Sequence, residues 1–398
     1  MAKVIIYHPW VYLKGGAERL IIEYANRSSH EITIATSYFS PETTFQEYSR
    51  NDVLIINGLT QVTAKRTFYS LIRAWLGILT AKIPSGFDVI LVSSEGFGDF
   101  FALLSNAHKK DILNIAYVHT PLKIIYDERT AAKLKNSTTK TNYFIYKLLK
   151  PIYMAINKVV WKRYQCVVAN SCETKKRIVL GGLRADALIN VINPGAEVRL
   201  NTRVFDEKSD LSMCKFFLVP GRIMWQKNVE ISIRAFALLN DSSVRLIIAG
   251  HVDEKSNEYF SRIFNLATSM SCNIEVIKNP NDEMYESLWR FAYGVIFTPE
   301  CEDWGIVPVE AMAAGKPVIA ADQCGPVESV IDGVTGYLVD YTDIGFCDGM
   351  KKILSLKQNE YEVMCSEAKN RAELFTWEKF AEQMDQIIDK SLFTQRDK

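Results

Sequence analysis

Lys3-Val4-Ile5-Ile6-Tyr7, then Lys14-Gly15-Gly16-Ala17-Glu18-Arg19, then Leu20 to Ala25, is a short and largely apolar run, a paired-glycine turn and a helical pattern in succession. β-Branched residues in a run of this length read as a buried strand, and glycines let the chain turn tightly into a helix. The unit recurs. Glu31 to Thr36, Val53 to Ile56, Asp88 to Ser93, Leu113 to Val118 and Cys166 to Ala169 are further strand-length runs, each followed by polar or glycine-containing sequence. This alternation predicts the α/β class: parallel sheets covered by helices on both faces, with ligands gathered at the carboxyl ends of the strands. The pattern stops at Asn193-Pro194-Gly195, and the following residues, 197–214, are polar and charged with little periodicity. It restarts with Phe216 to Pro220, Val244 to Ala249, Asn273 to Ile277, Tyr293 to Phe297 and Lys316 to Ala320, separated by helical stretches such as Val229 to Leu239 and Val307 to Ala314. Two doubly wound domains facing a cleft are expected, residues 1–200 and 201–376.

The 398 residues, 48% hydrophobic and 23% charged, exclude a disordered chain, a collagen-like fibre and a small disulfide scaffold. The start, Met1 to Trp10, has no basic region ahead of an apolar core and cleavage site, so no secretory signal is expected and the chain is assigned to the cytoplasm. The longest apolar attempt, Phe68 to Thr80, is interrupted by Arg73, too early to span a bilayer. Eight cysteines occur without a Cys-x-x-Cys pair, which predicts reduced, mostly buried thiols rather than a zinc site or a disulfide framework.

The formal net charge of +1 conceals an asymmetry. Met1 to Leu200 carries 26 Lys and Arg against 15 Asp and Glu, net +11, and the remainder 21 against 31, net −10. Arg129 to Cys172 has nine bases and no acid, with Tyr143, Phe144, Tyr146, Tyr153 and Trp161 among them. A second acid-free run, Val53 to Phe87, holds Lys65, Arg66, Arg73 and Lys82 amid Phe68, Trp75 and Leu76. Basic, aromatic and amphipathic together suit an anionic membrane surface, and equally suit ordinary helices with solvated basic faces. Nucleic acid is not expected as a partner, because no reader motif accompanies the charge.

Three constellations could carry chemistry. Gly15 and Gly16 would allow close backbone approach to an anion at a helix start, although a tight turn alone needs glycine too. No Walker loop is present. Arg222 and Lys227, in Val219-Pro220-Gly221-Arg222-Ile223-Met224-Trp225-Gln226-Lys227-Asn228, leave a strand end and suit a diphosphate leaving group; alone they would read as surface charges. Glu302 follows the strand Tyr293 to Phe297, and Glu310 falls inside the next helix among Val309, Ala311 and Met312. A carboxylate in that apolar setting needs a hydrogen-bonding partner, and a ribose diol is one.

Glu302-x7-Glu310, followed by Ala311-Met312-Ala313-Ala314-Gly315-Lys316-Pro317, resembles the signature of the retaining nucleotide-sugar glycosyltransferases of family GT4, which adopt the GT-B fold of two Rossmann-like domains. The Gly-Gly-Ala-Glu turn, Gly221-Arg222-x4-Lys227-Asn228, Asn193-Pro194-Gly195 and Asp332-Gly333-Val334-Thr335-Gly336-Tyr337 fall in the family's order, so the likeness covers nearly the whole chain. The resemblance implies that Glu302 contacts the donor sugar, Glu310 the ribose hydroxyls, and Arg222 with Lys227 the diphosphate. Gly305, Ile306 and Val307 complete the donor-binding set, and Gly15 and Gly16 approach from the other domain. The last helix, from near Trp377 through 377–398, would cross back onto the first domain. Ala116-Tyr117-Val118-His119-Thr120-Pro121 resembles the family's His-x-Pro segment, which implies that His119 reaches the transferred sugar. With Tyr126-Asp127 the string is similar to bacterial mannosyltransferases that build O-antigen and related polysaccharides from GDP-mannose. One departure is the turn after Ala249, where Gly250 is followed by His251-Val252-Asp253-Glu254 instead of a glycine-rich turn, a change that bears on the donor base.

The expected reaction is transfer of a hexose, mannose from GDP-mannose first and a UDP-sugar second, to a saccharide or polyprenyl-diphosphate-linked acceptor with anomeric configuration retained. His119, Glu302, Arg222 and Lys227 are the expected catalytic residues. No cofactor or metal is expected, since Arg222, Lys227 and helix-terminal amides meet the departing charge and no Asp-x-Asp triplet occurs. A cytoplasmic enzyme at the inner face of the cell membrane would fit. The alternatives are a UDP-sugar-dependent GT4 hexosyltransferase, a GT-B epimerase or phosphorylase that needs no acceptor alcohol, and a non-catalytic GT-B sugar-binding protein.

Overall fold

The computed structural model describes residues 1–51, 53–56, 82–101, 112–137, 139–197, 211, 214–270 and 272–396. The segment with Lys65, Arg66 and Arg73 and most of the expected linker lie outside them. The chain divides into two compact units, Met1–Pro194 with Trp377–Lys398, and Gly195–Thr376.

The first unit holds a seven-stranded sheet of β1 (Lys3–Val11), β2 (Glu31–Phe39), β3 (Val53–Ile55), β4 (Val89–Ser94), β5 (Leu113–Val118), β6 (Cys166–Ala169) and β7 (Ile189–Val191). Its order is β3-β2-β1-β4-β5-β6-β7, with every pair parallel. Alternate residues of the strands feed opposite faces. Ile5, Tyr7, Ile90 and Val92 pack with Val160 and Trp161, while Val4, Ile6, Leu91 and Ile115 pack with Leu20, Ile21, Trp377 and Met384. Strand β1 runs past Tyr7 through Pro9, a residue normally barred from central strands. The register explains it: β1 pairs with β4 only up to Tyr7 and continues with β2 alone to Val11, so on one side it has become an edge.

Asp99 fastens the long helix Lys140–Trp161 to this sheet. Its carboxylate accepts the Trp161 indole N–H at 3.0 Å and the Ser94 hydroxyl, and Tyr164 donates to its carbonyl at 2.8 Å. Burial raises this carboxyl to about 7, against the bonds from Trp161 and Asn157. The last helix, Trp377–Arg396, covers the sheet's other face within the same unit. Asp385 anchors it by accepting from Tyr24 and Ser28 hydroxyls at 2.7 Å, and from the Ser29 amide and hydroxyl at 2.7 and 2.8 Å.

The second unit repeats the plan with β8 (Phe216–Pro220), β9 (Arg245–Gly250), β10 (Ile274–Lys278), β11 (Gly294–Phe297), β12 (Val318–Ala321) and β13 (Gly336–Val339), in the all-parallel order β10-β9-β8-β11-β12-β13. In both sheets the chain reverses its direction of growth beside the first strand, between β1 and β4 and between β8 and β11. Crevices at such reversal points, beyond the strands' carboxyl ends, are where doubly wound sheets bind ligands.

One expectation is corrected. Cys301 and Cys324 form a disulfide, and of the other described cysteines only Cys347 is buried, with Cys172 and Cys214 exposed. The two half-cystines are 23 residues apart but follow the adjacent strands β11 and β12, so their loops leave the sheet side by side. Spacing along the chain carries no sign of that.

Candidate active site

In the first unit, Tyr7 pairs with Val92 and Ser93 with Tyr117, so residues at or just beyond these pairs meet at the sheet's carboxyl edge. Ser93 Oγ lies 2.8 Å from His119 Nε2 and 3.1 Å from His8 Nδ1. A hydroxyl carries one proton and two lone pairs, so Ser93 can donate to one ring and accept from the other. Burial lowers both imidazoles. His119 falls to about 4, with Glu95 opposing and His8 reinforcing, and His8 falls with Glu95 and the Ser93 carbonyl opposing. Near neutral pH both rings are uncharged, suited to hydrogen-bonding a sugar hydroxyl rather than pairing with an anion. With Nε2 held by Ser93, Nδ1 is the His119 atom left for a ligand.

The backbone around His119 is equally restrained. Its amide donates to the Ser94 carbonyl at 3.0 Å, and its carbonyl accepts from Thr174 Oγ1 at 3.2 Å. Thr120 Oγ1 accepts from Arg177, itself 3.2 Å from Asp127. Sequence reading singled out His119 but neither His8 nor Ser93. All three stand at strand ends, yet which ends are neighbours depends on sheet order.

Gly15 caps the helix Gly16–Arg27 and offers it no side-chain hydrogen bond. A Cβ on Gly15 would stand 2.4 Å from Glu18 Oε2, so this glycine makes room for the buried Glu18 carboxylate at the helix start. A carboxylate there is favoured by the helix dipole.

In the second unit, Gly221 follows β8 at φ +111°, and a Cβ on Gly250 would fall 1.6 Å from the Gly221 carbonyl oxygen. The two glycines let β8 and β9 close up. Beyond them the loop carrying Arg222 and Lys227 is braced from both sides: the Ile223 amide donates to the His251 carbonyl at 2.9 Å, and Thr298 Oγ1 donates to the Lys227 carbonyl at 2.6 Å. Lys227 Nζ then reaches Glu302 Oε2 at 2.9 Å. The expected phosphate ligand and the expected sugar ligand are thus partners of each other. The Glu302 segment is fixed in turn by the Gly325 amide on its carbonyl at 2.8 Å, by Gln323 on the Glu300 carbonyl and by the disulfide. Arg222, half-buried, makes no ion pair among the described residues.

Gly305, at φ +89°, heads the helix Ile306–Ala313 and supplies no side-chain cap to its first amides, those of Ile306 and Val307. Unmet N–H groups at a helix start are an anion-binding arrangement. Gly221 lies beside them, since a Cβ there would touch Val307 Cγ2 at 3.8 Å. Glu310, one turn further on, is half-buried rather than fully enclosed. The Tyr285 hydroxyl is pushed up by burial and then by the Glu310 charge, against a hydrogen bond with the Gly221 backbone. Tyr285 thereby joins the site, again unannounced in the sequence.

Arg222, Lys227, Glu302, Glu310 and the helix start at Gly305 therefore meet in one unit at the reversal point of its sheet. The model of the family described as Glycosyl transferases group 1 matches residues 203–371, most of that unit. An alpha-1,3/1,6-mannosyltransferase ALG2 of Dictyostelium discoideum is 26% identical over 97% of this chain and 98% of its own length. The corresponding Neurospora crassa protein is 26% identical over 97% and 90%. Among solved structures, sucrose-phosphate synthase from Thermosynechococcus elongatus superposes with a TM-score of 0.76 at 18% identity, covering 99% of this chain and 100% of that one. Anabaena Alr3699/HepE, solved with UDP and glucose, gives 0.71 at 17% identity over 98% and 100%. The chain has the GT-B fold of two Rossmann-like units, and residues 203–371 are similar to the group 1 glycosyl transferases.

Proposed function

We propose that the chain is a retaining mannosyltransferase that moves mannose from a nucleoside diphosphate, GDP before UDP, to a hydroxyl of a saccharide carried on a polyprenyl diphosphate. The observation that carries this reading is likeness to named mannosyltransferases along 97% of the chain, with the expected donor-side charges together in one unit. Arg222 grips the departing diphosphate with its planar fork, and Lys227 neutralises it as a point charge. The Ile306 and Val307 amides take a phosphate oxygen, and Glu310 accepts from the ribose diol. Lys227 turns to phosphate, and the Glu302 carboxylate orients the sugar. The neutral His119 imidazole hydrogen-bonds a hydroxyl of the transferred hexose. Two cations and a helix start supply the charge stabilisation without a metal ion. Action on the cytoplasmic side, in cell-surface polysaccharide synthesis including O-antigen, belongs to the same proposal.

Thermal shift against GDP-, UDP- and ADP-sugars tests the donor. A ligand at 100 times its dissociation constant stabilises by about 2.7 kcal/mol, and GDP-mannose is expected to give the largest rise. Product analysis with a polyprenyl-diphosphate saccharide is expected to show an α-linked mannose, at a rate unchanged by EDTA. A nucleotide sugar converted without acceptor would mark an epimerase, and no shift with any donor would overturn the reading.

A further inference from the structure

The helix Lys140–Trp161 turns its inner face to the first unit's core through Tyr153, Asn157, Val160 and Trp161. Its outer face is not polar. Phe144, Leu148, Ile152 and Ile156, each four residues from the last, are 68%, 60%, 53% and 39% exposed, and Val159 is 53% exposed. Ile145 and Leu149 lie beside them, also exposed. At 100° per residue these side chains occupy one continuous arc of about 140°. Lys140, Lys147 and Lys158 fall together on one border of the arc, and Lys162 and Arg163 close its carboxyl end, all exposed. No acid occurs from Arg129 to Cys172. Seven large apolar side chains on one outward face are too contiguous for the scattered exposure ordinary in a soluble surface.

We propose that this face is a docking surface for an anionic lipid bilayer, with the helix lying in the plane of the headgroups. The apolar arc would enter the acyl boundary while the lysines beside it meet lipid phosphates. A second copy of the chain fits less well, because two such helices packed face to face bring Lys147 and Lys158 against like charges. The inference rests on the lipid-linked acceptor proposed above and adds where the chain meets the lipid: through the outer face of one helix.

The test uses the full chain, without donor or acceptor, in sedimentation with vesicles of phosphatidylcholine alone and of phosphatidylcholine with phosphatidylglycerol. Retention on the anionic vesicles is expected, weakening with salt. Phe144→Gln, Leu148→Gln and Ile152→Gln together, all at exposed positions and into a good helix former, are expected to lower the partition coefficient at least tenfold with an unchanged melting temperature. Lys140→Gln, Lys147→Gln and Lys158→Gln together are expected to lower it roughly a hundredfold on anionic vesicles and leave neutral vesicles unaffected. Full recovery of the parent chain in the supernatant overturns the proposal. So does undiminished binding by the folded triple variants, or a dimer that the apolar variant dissolves into monomers without any vesicle binding. Because this readout needs no turnover, its failure is distinct from failure of the donor assignment.

Discussion

Lys227 and Glu302 are each only partly buried, and a pair of that kind is worth about 1 kcal/mol or less to the fold. Their use is therefore expected in the rate. Lys227→Ala and Arg222→Ala are expected to slow transfer by about two to three orders of magnitude, as for loss of one preorganised donor to a developing charge, with melting temperatures nearly unchanged. Glu310→Ala is expected to abolish donor binding in a thermal-shift titration. Wild-type turnover in all three would place the chemistry elsewhere. Ser93→Ala tests the first unit's row: it takes a hydroxyl from between two buried imidazoles, and a drop in kcat with KM unchanged, no larger when His8→Gln is added, would mark Ser93 and His8 as positioning residues for His119. The charged residues of the second unit were legible because two dense motifs carry them, Arg222 with Lys227 in one and Glu302 with Glu310 in the other. The Lys227–Glu302 pairing was not, being a contact between loops that follow different strands.

Elements were legible by their apolar, β-branched runs rather than by their length. β3 and β6, of three and four residues, stand out in this way, whereas β7 and β13, of the same lengths, went unread and are defined by their neighbours in the sheets. The return of the last helix to the first unit followed from family resemblance, and its physical anchor is Asp385. Burial alone raises that carboxyl, but hydrogen bonds from Ser29, Ser28 and Tyr24 outweigh it and hold it below its ordinary value. Asp385→Asn puts an amide N–H against donors already present, and a loss of about 1–3 kcal/mol in chemical unfolding is expected. The Cys301–Cys324 bridge acts on the element that carries Glu302. Closing a loop of 23 residues restricts the unfolded chain by about 3 kcal/mol, so Cys301→Ser with Cys324→Ser is expected to destabilise the second unit by that order. Equal stability of parent and variant under non-reducing conditions would deny the bridge that role.

At the scale of the molecule, the acid-sensitive groups are not shared evenly: the buried or half-buried His8, Asp99, His119, Asp127 and Asp385 belong to the first unit, whereas the second has the exposed Asp241, its carboxyl lowered by Ser243. His119 titrates near 4 when folded and near 6.5 when unfolded, so between those values only the unfolded chain takes up the proton. Stability therefore falls as pH drops through that window, by about 3 kcal/mol in the limit, and His8 acts in the same direction. Asp99 opposes them. Folded, it keeps its proton up to about 7, so its contribution is greatest in acid and declines as pH rises from about 4 to 7. The Asp99 shift is at least as large as that of His119, so between about pH 7 and 4 the buried groups work against one another. Below about pH 4 the depressed carboxyls of Asp385 and Asp127 lower stability, since their stabilisation is lost as they protonate. In the Asp99→Asn variant, hydrogen exchange corrected for intrinsic rates is expected to show β1, β4 and β5 losing protection between pH 7.5 and 4.5 while β8 and β11 keep theirs. Asp99→Asn removes the opposing contribution, so that variant is expected to be more stable than the parent at pH 8 and to lose stability more steeply on acidification. Equal loss of protection in both sheets, or an acid profile indifferent to Asp99→Asn, would mean that these buried groups do not set the molecule's response to pH.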